Sequence, residues 1–348
     1  MGAEASEDEL RQCYEVYLEE GRQDFPGFPE MSFESFAAAM RGPRYEDAGP
    51  WRTWAAWDGE RLLGFGLAVY PDRHMTHWSQ VRARVAGIDR RRGVGAALLR
   101  AIVADVRSEG RTMLANDQVR LGGEGERWAN SVGFANTLSI RWQMLHVAEV
   151  DPALWDVPVP AGFRLEQWAD AAPVALVDEF AAARNAIDEA PNGDSAYRGP
   201  EWTVERVRQA EADLRDAGDD SRFVVAVHEE TGAVAALTGM LLRPGRVDLC
   251  WQRDTAVVAE YRGLGLGRVV KAAMMRWLLA EFPDLGQVIT STAAENAHMI
   301  RINEQIGYTH YADFGRFEAS VEHIGAALGM QGTNSIPGPR REQELEGA

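Results

Sequence analysis

Apolar and polar residues follow one another along this chain with two periods, near 3.6 and 2, and the switches between them outline a similar succession of elements twice. In the first half, residues 8–20 carry the helical spacing and residues 33–40 repeat it over a shorter span. Residues 54–57 and 61–70 read as strands around Asp58-Gly59, a strong hairpin signal. A strand over 81–85, a helix over 93–107, a short strand over 112–115, a helix over 124–132 and a strand over 139–147 follow. The second half predicts a strand over 163–168, helices over 173–185 and 203–216, and a hairpin of 222–228 with 233–242 around Glu230-Thr231-Gly232. A strand over 247–256, a helix over 267–282, a strand over 287–291, a helix over 296–306 and a strand over 315–321 complete it. Helices first, then antiparallel strands, then strand and helix in alternation imply an α/β fold with a mixed sheet.

The two halves are related at the level of residues. Arg90, Gly93 and Gly95 align with Arg262, Gly265 and Gly267 at an offset of 172, and Gly133-Phe134 aligns with Gly307-Tyr308 at 174. Two elements recurring at nearly one offset mark a duplication. The expected organisation is an N-terminal domain over 1–150, a linker over 151–162 broken by Pro152, Pro158 and Pro160, and a C-terminal domain over 163–329. A polar, Gly-, Pro- and Glu-rich tail over 330–348 is expected to fray.

Each Arg-x-x-Gly-x-Gly run follows a strand and opens a helix. A helix N-terminus presents unpaired N–H groups and a positive dipole end to a phosphate. Glycine removes the Cβ that would hold a pyrophosphate away. Around Gly93 and Gly95 the candidate contacts are Arg90, Arg91, Arg92, Val94 and Ala96, and around Gly265 and Gly267 they are Arg262, Gly263, Leu266 and Arg268. A P-loop is excluded because the chain has no Gly-Lys pair. The dinucleotide fingerprint fails because Leu98 and Val270 occupy the third glycine position.

This pattern resembles motif A of the GNAT superfamily of acyl-CoA-dependent N-acyltransferases. The second half, with Asp254-Thr255, the Tyr261 to Gly267 run, Lys271, Asn296, Met299 and Ile302-Asn303, resembles the C-terminal domain of tandem GNAT proteins, the architecture of mycothiol synthase and of some antibiotic-cluster acyltransferases. Thr292 departs from it, where Asn is common. The resemblance implies two tandem GNAT domains, each a mixed sheet flanked by helices with a splayed strand pair. It implies acetyl-CoA or another acyl-CoA as co-substrate, a second copy being held for structure, with Val85 and Val257 at the strand ends beside the pantetheine arm. The implied activity is transfer of an acetyl or related acyl group to an amine of a small molecule. A non-catalytic acyl-CoA sensor or scaffold and a protein N-acetyltransferase are the alternatives.

An alkylamine, with a pKa near 10, must lose a proton before it attacks a thioester, and the thiolate must gain one. In the family the acid is often a Tyr four residues before the Gly-aromatic pair, where this chain has Ala129 and Asn303. Asn303 can donate a hydrogen bond but no proton. Replacement candidates in the second half are Asp254, Glu295 and Tyr308. Each also has a plain structural reading: Asp254 holding a loop, Glu295 an exposed helix-start residue, Tyr308 core. Asn296 is suited to capping its helix or to touching the pantetheine. The first domain is thus expected to hold acyl-CoA mainly for structure while the second transfers the acyl group.

Composition trims the alternatives. A net charge of −17 opposes non-specific nucleic-acid binding and favours encounter with cationic molecules or basic peptides. No apolar stretch reaches about 18 residues, and the acidic start is unlike a signal peptide, so a cytoplasmic protein without membrane contact is expected, as monomer or homodimer. Met1-Gly2 with Ser6 matches the myristoylation pattern, but its acidic neighbours disfavour an anionic membrane, and we read it as chance. Cys13 and Cys250 are read as structural, and scattered histidines offer no metal spacing. Trp51, Trp54, Trp57 and Trp78 could line an aromatic acceptor pocket, although core packing is the commoner role.

Overall fold

The computed structural model describes residues 5–41, 49–244, 246 and 248–330. Helix α1 (Glu7–Asp24) starts at a capping box, with Ser6 Oγ accepting from the Glu9 N–H and the Glu9 carboxylate accepting from the Ser6 N–H. It packs beside α2 (Phe33–Arg41) through Leu10, Cys13 and Val16. Strands β1 (Trp51–Asp58) and β2 (Arg61–Val69) turn at Gly59, whose φ of +60° suits the hairpin. Then come β3 (Trp78–Val85), α3 (Val94–Ser108), β4 (Met113–Arg120), α4 (Glu124–Ser131) and β5 (Ala135–His146). The second half runs β6 (Phe163–Ala169), α5 (Val177–Arg184), α6 (Val204–Asp216), β7 (Asp220–His228), β8 (Val234–Leu242), β9 (Leu249–Val257), α7 (Leu266–Glu281), β10 (Gln287–Ala293), α8 (Ala297–Gln305), β11 (Thr309–Ser320) and α9 (Val321–Ala327).

All these strands join one sheet in the order β1-β2-β3-β4-β11-β5-β10-β9-β8-β7-β6. The last strand of each half crosses to the other: β11 lies between β4 and β5, and β5 pairs antiparallel with β10 from Gln287↔His146 to Ala293↔Ile140. Phe317, Ala319 and Ile324 therefore pack in the core under α3, while Leu145 and Trp155 pack in the core under α7. The two Gly-aromatic turns mirror this exchange. A Cβ on Gly133 (φ +102°) would meet His323 beyond β11, and one on Gly307 (φ +104°) would meet Val150 beyond β5.

The period-2 alternation assigns the faces. On β7, Phe223, Val225 and Val227 pack toward α5, whereas Val224 and Ala226 pack toward α7. Helices α1, α2, α5 and α6 cover one face, and α3 and α7 cover the other.

Several elements differ from the sequence expectation. The strands expected over 112–115 and 315–321 extend to Met113–Arg120 and Thr309–Ser320, because pairing between halves supplies backbone partners that local pattern does not reveal. The helix expected over 173–185 shrinks to α5 and continues as a 3₁₀ turn, Asn185–Glu189. Within 151–162, Pro152–Trp155 forms a 3₁₀ turn whose Trp155 is buried and donates from Nε1 to the Ile306 carbonyl at 2.9 Å. Helix α9 was not expected. The expected tail from 331 onward, Met1-Gly2 and Val247 lie outside the described residues. Both cysteines are buried, and loss of solvation pushes each thiol up to about 12, in keeping with a structural role.

Candidate active site

Strands β3 and β4 are parallel neighbours only from Trp78↔Met113 to Gln80↔Ala115, after which they diverge. Strands β9 and β10 do the same, pairing only from Leu249↔Gln287 to Trp251↔Ile289. Each half thus contains a splayed pair whose β3 or β9 arm runs into a glycine loop.

The loops are alike in backbone. Gly93 and Gly265 are the N-caps of α3 and α7, with φ of +86° and +80°. Two residues earlier, Gly263 has φ +82° and Arg91 has φ +63°, so the first copy holds a side chain in a conformation that favours glycine. Nothing lies within 4 Å of a Cβ built on Gly93, Gly263 or Gly265, which leaves the helix N-termini open for an anion. Val94 and Leu266 begin the helices and are buried.

Gly95 and Gly267 have another job. A Cβ on Gly95 would sit 3.3 Å from the Trp128 ring of α4, and one on Gly267 would sit 3.3 Å from Ile302 Cδ1 of α8 and 3.4 Å from Val257. They permit close packing against the neighbouring helices. Arg90, Arg92 and Arg262 have protein partners here. Arg90 Nε donates to the Val85 carbonyl and Arg262 Nε to the Val257 carbonyl, both at 3.2 Å, so each arginine ties loop to strand. Beyond that, Arg90 pairs with Glu124 at 2.7 Å and Arg262 pairs with Glu189. Arg92 donates to buried Asp89. Arg91 is exposed, and Arg268, beside the second loop, buries an Nε with no hydrogen-bond partner among the described residues. Ala96 is its half-buried counterpart in the first copy.

The copies differ most on the strand itself. Strands β2 and β3 pair without interruption from Gly64↔Val85 to Val69↔Gln80. Between β8 and β9 the register jumps from Thr238↔Thr255 to Met240↔Gln252, so Arg253 and Asp254 together oppose Gly239. Gly239 is needed there because a Cβ would meet the Phe223 ring at 2.8 Å. Both Arg253 and Asp254 reach a chamber of about 1200 Å³, while Val257 packs against the α7 core. A buried polar chain supports the bulge. Gln252 Nε2 donates to Thr238 Oγ1 at 2.7 Å and to the Gly239 carbonyl at 3.0 Å, and Tyr308 Oη donates to Gln252 Oε1 at 3.3 Å.

The other candidates stand away from the chamber. Tyr308 is 2% exposed, inside the α7 core, and burial pushes its phenol far up. Asn303 is fully buried, donating to Gln143 Oε1 at 2.8 Å, a partner contributed by β5 of the first half. Glu295 is exposed in the turn before α8, and Asn296 caps α8 by accepting from the Met299 N–H at 3.1 Å. Asp254 alone of the proposed acid–base residues faces the chamber. Its Oδ2 lies 3.1 Å from Nη2 of Arg184, itself 4% exposed and stacked 3.2 Å over the Trp202 ring.

The chamber crosses the face that carries α1, α2, α5 and α6, and takes wall residues from both splays: Gln80 and Ala115 at one, Trp251 and Ser291 at the other. Sequence reasoning missed Arg184, Trp202 and Trp251, which come from a helix, a loop and a strand without shared spacing. Of the four N-terminal tryptophans, Trp78 lines this chamber, while Trp54 and Trp57 pack in cores.

With this geometry, comparison with known proteins is direct. Residues 187–308 match the acetyltransferase (GNAT) family. A tandem GNAT protein from the clavulanic acid biosynthesis pathway superposes with a TM-score of 0.75 at 24% identity, over 92% of this chain and 97% of that one. A GCN5-related N-acetyltransferase from Sphaerobacter thermophilus gives 0.68 at 13% identity, over 89% and 92%. No curated protein sequence matches significantly. The fold is that of tandem GNAT proteins, and residues 187–308 are the part that matches the GNAT family.

Proposed function

We propose that the protein is an acyl-CoA-dependent N-acyltransferase with a catalytic C-terminal unit and a structural N-terminal one, acting on the amine of a small molecule. The observation that carries this is the β9–β10 splay. It has an open glycine-capped helix N-terminus at one end and Asp254, raised on a bulge, at the other. Gly263, Gly265 and the first turn of α7 would hold the pyrophosphate, with Arg268 beside it. Acyl-CoA supplies an activated acyl group as a thioester. The β9 edge past Trp251, unpaired on the β10 side, offers backbone N–H groups toward the thioester carbonyl near Val257.

Asp254 takes the proton of the attacking amine as the C–N bond forms, with its carboxylate fixed by Arg184. No tyrosine is required for the leaving group, because a thiolate whose thiol has a pKa of about 8.5 is stable enough to depart as the anion and takes its proton from water afterwards. The first unit has Arg82 where the second has Asp254, an unbulged β3, and an ion pair from its loop to α4, which together favour a structural role for it.

Native mass spectrometry with acetyl-CoA tests the binding half of the reading, and release of free thiol with a panel of amines tests the chemistry. One CoA-sized addition that Gly265→Val abolishes is expected. No addition with acetyl-CoA or longer acyl-CoAs would sink the proposal.

A further inference from the structure

Each half lends a loop to the chamber wall of the other. Residues 25–31, between α1 and α2, carry Phe28 to Trp251 of β9 and Tyr311 of β11, at 6.4 and 6.2 Å between ring centres. The Pro29 carbonyl in that loop accepts from Arg246 Nη2 at 3.2 Å. Residues 190–200, between α5 and α6, run the other way. The Asp194 N–H donates to the Thr137 carbonyl at 2.8 Å, and His74 Nε2 lies 2.6 Å from the Arg198 carbonyl. Between these anchors, Ser195 Oγ and the Ala196 N–H donate to the buried Glu318 carboxylate at 2.5 and 2.9 Å.

The second loop makes one continuous wall out of two sites. The wall begins at Asp254 and Arg184, follows Ile187 and Asp188, and reaches Tyr197. There the Tyr197 ring meets Trp78 edge to face at 6.0 Å, where β3 starts to part from β4. The Arg316 guanidinium lies 4.8 Å over the same tyrosine ring, so this aromatic pair is held from both sides.

Size and chemistry say what the far end is for. The chamber measures about 1200 Å³. A pocket that encloses a drug-sized ligand takes about 300–1000 Å³, so one small amine beside Asp254 would leave the far end unfilled. At that end Arg82 stands in the position of Asp254, and Arg90 ties the neighbouring glycine loop to Glu124. It offers aromatic surface without the carboxylate that the reaction uses, and such surface suits a flat apolar group.

We propose that the acceptor is an extended molecule that spans both halves, with its amine at Asp254 and a flat apolar group at its other end against Trp78 and Tyr197. This rests on the acyl-transfer reading above and adds acceptor selection to the structural role of the N-terminal unit. The chemistry at the amine is unchanged: the C–N bond forms, the thioester C–S bond breaks and Asp254 takes the proton.

Calorimetric titration of the full chain, saturated with CoA, tests this with pairs of peptide amides of one to five residues. Each pair is all glycine except that one member ends in tryptophan, so the pair reports what an indole gains at each distance from the amine. The advantage of tryptophan is expected to rise with length to at least about tenfold, the worth of burying one aromatic group. Gln80→Trp, at an exposed position of β3 on the far wall, should abolish that rise and leave the shortest pair within about twofold of wild type. An advantage that does not grow with length, a rise that Gln80→Trp leaves intact, or no binding of any peptide overturns the proposal. If CoA still adds by native mass spectrometry in that case, the acyltransferase reading stands alone. A length-dependent rise in a chain that adds no acyl-CoA overturns the assignment to an acceptor. A second CoA addition that the longer tryptophan peptides displace would fill the far end with pantetheine and overturn it as well.

Discussion

Arg90 and Arg262 stand at corresponding places in the two glycine loops and lay Nε on a valine carbonyl at the same 3.2 Å, yet their outer nitrogens reach in different directions. Arg90 pairs with Glu124 at the start of α4, so it links the β3 and β4 arms of the first splay. Arg262 pairs with Glu189, on the 3₁₀ turn after α5, and Asn296, the residue corresponding to Glu124, is engaged in capping α8. One duplicated loop is clasped across its groove and the other is not.

The clasp predicts unequal binding. Wild type should take up one CoA equivalent, insensitive to Gly93→Val, and Glu124→Ala should permit a second addition that Gly93→Val then removes. Native mass spectrometry reads both, and two additions to the wild type would contradict the prediction.

Asp254→Asn should lower kcat by about 10²–10⁴-fold, the usual worth of a positioned general base, with acetyl-CoA binding unchanged. The amide keeps a carbonyl for Arg184 Nη2, so the chamber wall should survive the substitution. Steady-state thiol release checks this, and unchanged turnover would remove Asp254 from the chemistry.

Tyr308→Phe is expected to behave as a structural change. It deletes the 3.3 Å hydrogen bond to Gln252 beneath the bulge and should cost about 0.5–1.5 kcal/mol in urea unfolding. Turnover should remain within about threefold, far short of the loss expected for a missing acid. A hundredfold loss in kcat would return Tyr308 to the catalytic set.

Lys271, the only lysine of the sequence, is 1% exposed on α7, 5.3 Å from the Tyr308 ring centre, and burial lowers its pKa from 10.5 to about 7. Between those values the unfolded chain binds more protons than the folded one, so this residue makes stability rise with pH from about 7 to about 10.5. Below about 7 both states are protonated and the penalty is at its full, constant size. Lys271→Met should therefore stabilise the protein most near neutral pH, and its advantage should shrink by about 1.4 kcal/mol per pH unit as pH rises through that window. Urea unfolding at about pH 7 and about pH 9.5 compares the two, and equal gains at both would refute the assignment.

Much of the fold was legible in the chain because its signals are local. The Asp58-Gly59 turn and the continuous apolar runs of β7 and β8 each act through neighbours a few residues away. The glycine loops were legible for the same reason, since Gly93 and Gly265 are needed by the backbone itself. The partners of Arg90 and Arg262 were not, because Glu124 and Glu189 lie 34 and 73 residues away.

The sequence by itself determined the duplicated order of strands and helices, the left-handed caps of α3 and α7, and the burial of both cysteines. Tertiary structure alone decided the exchange of β5 and β11, which depends on backbone pairing between halves. It also decided the bulge of Arg253 and Asp254 opposite Gly239, since that depends on how β9 is registered against β8, and it left no room for a Cβ on Gly239 beside the Phe223 ring of β7.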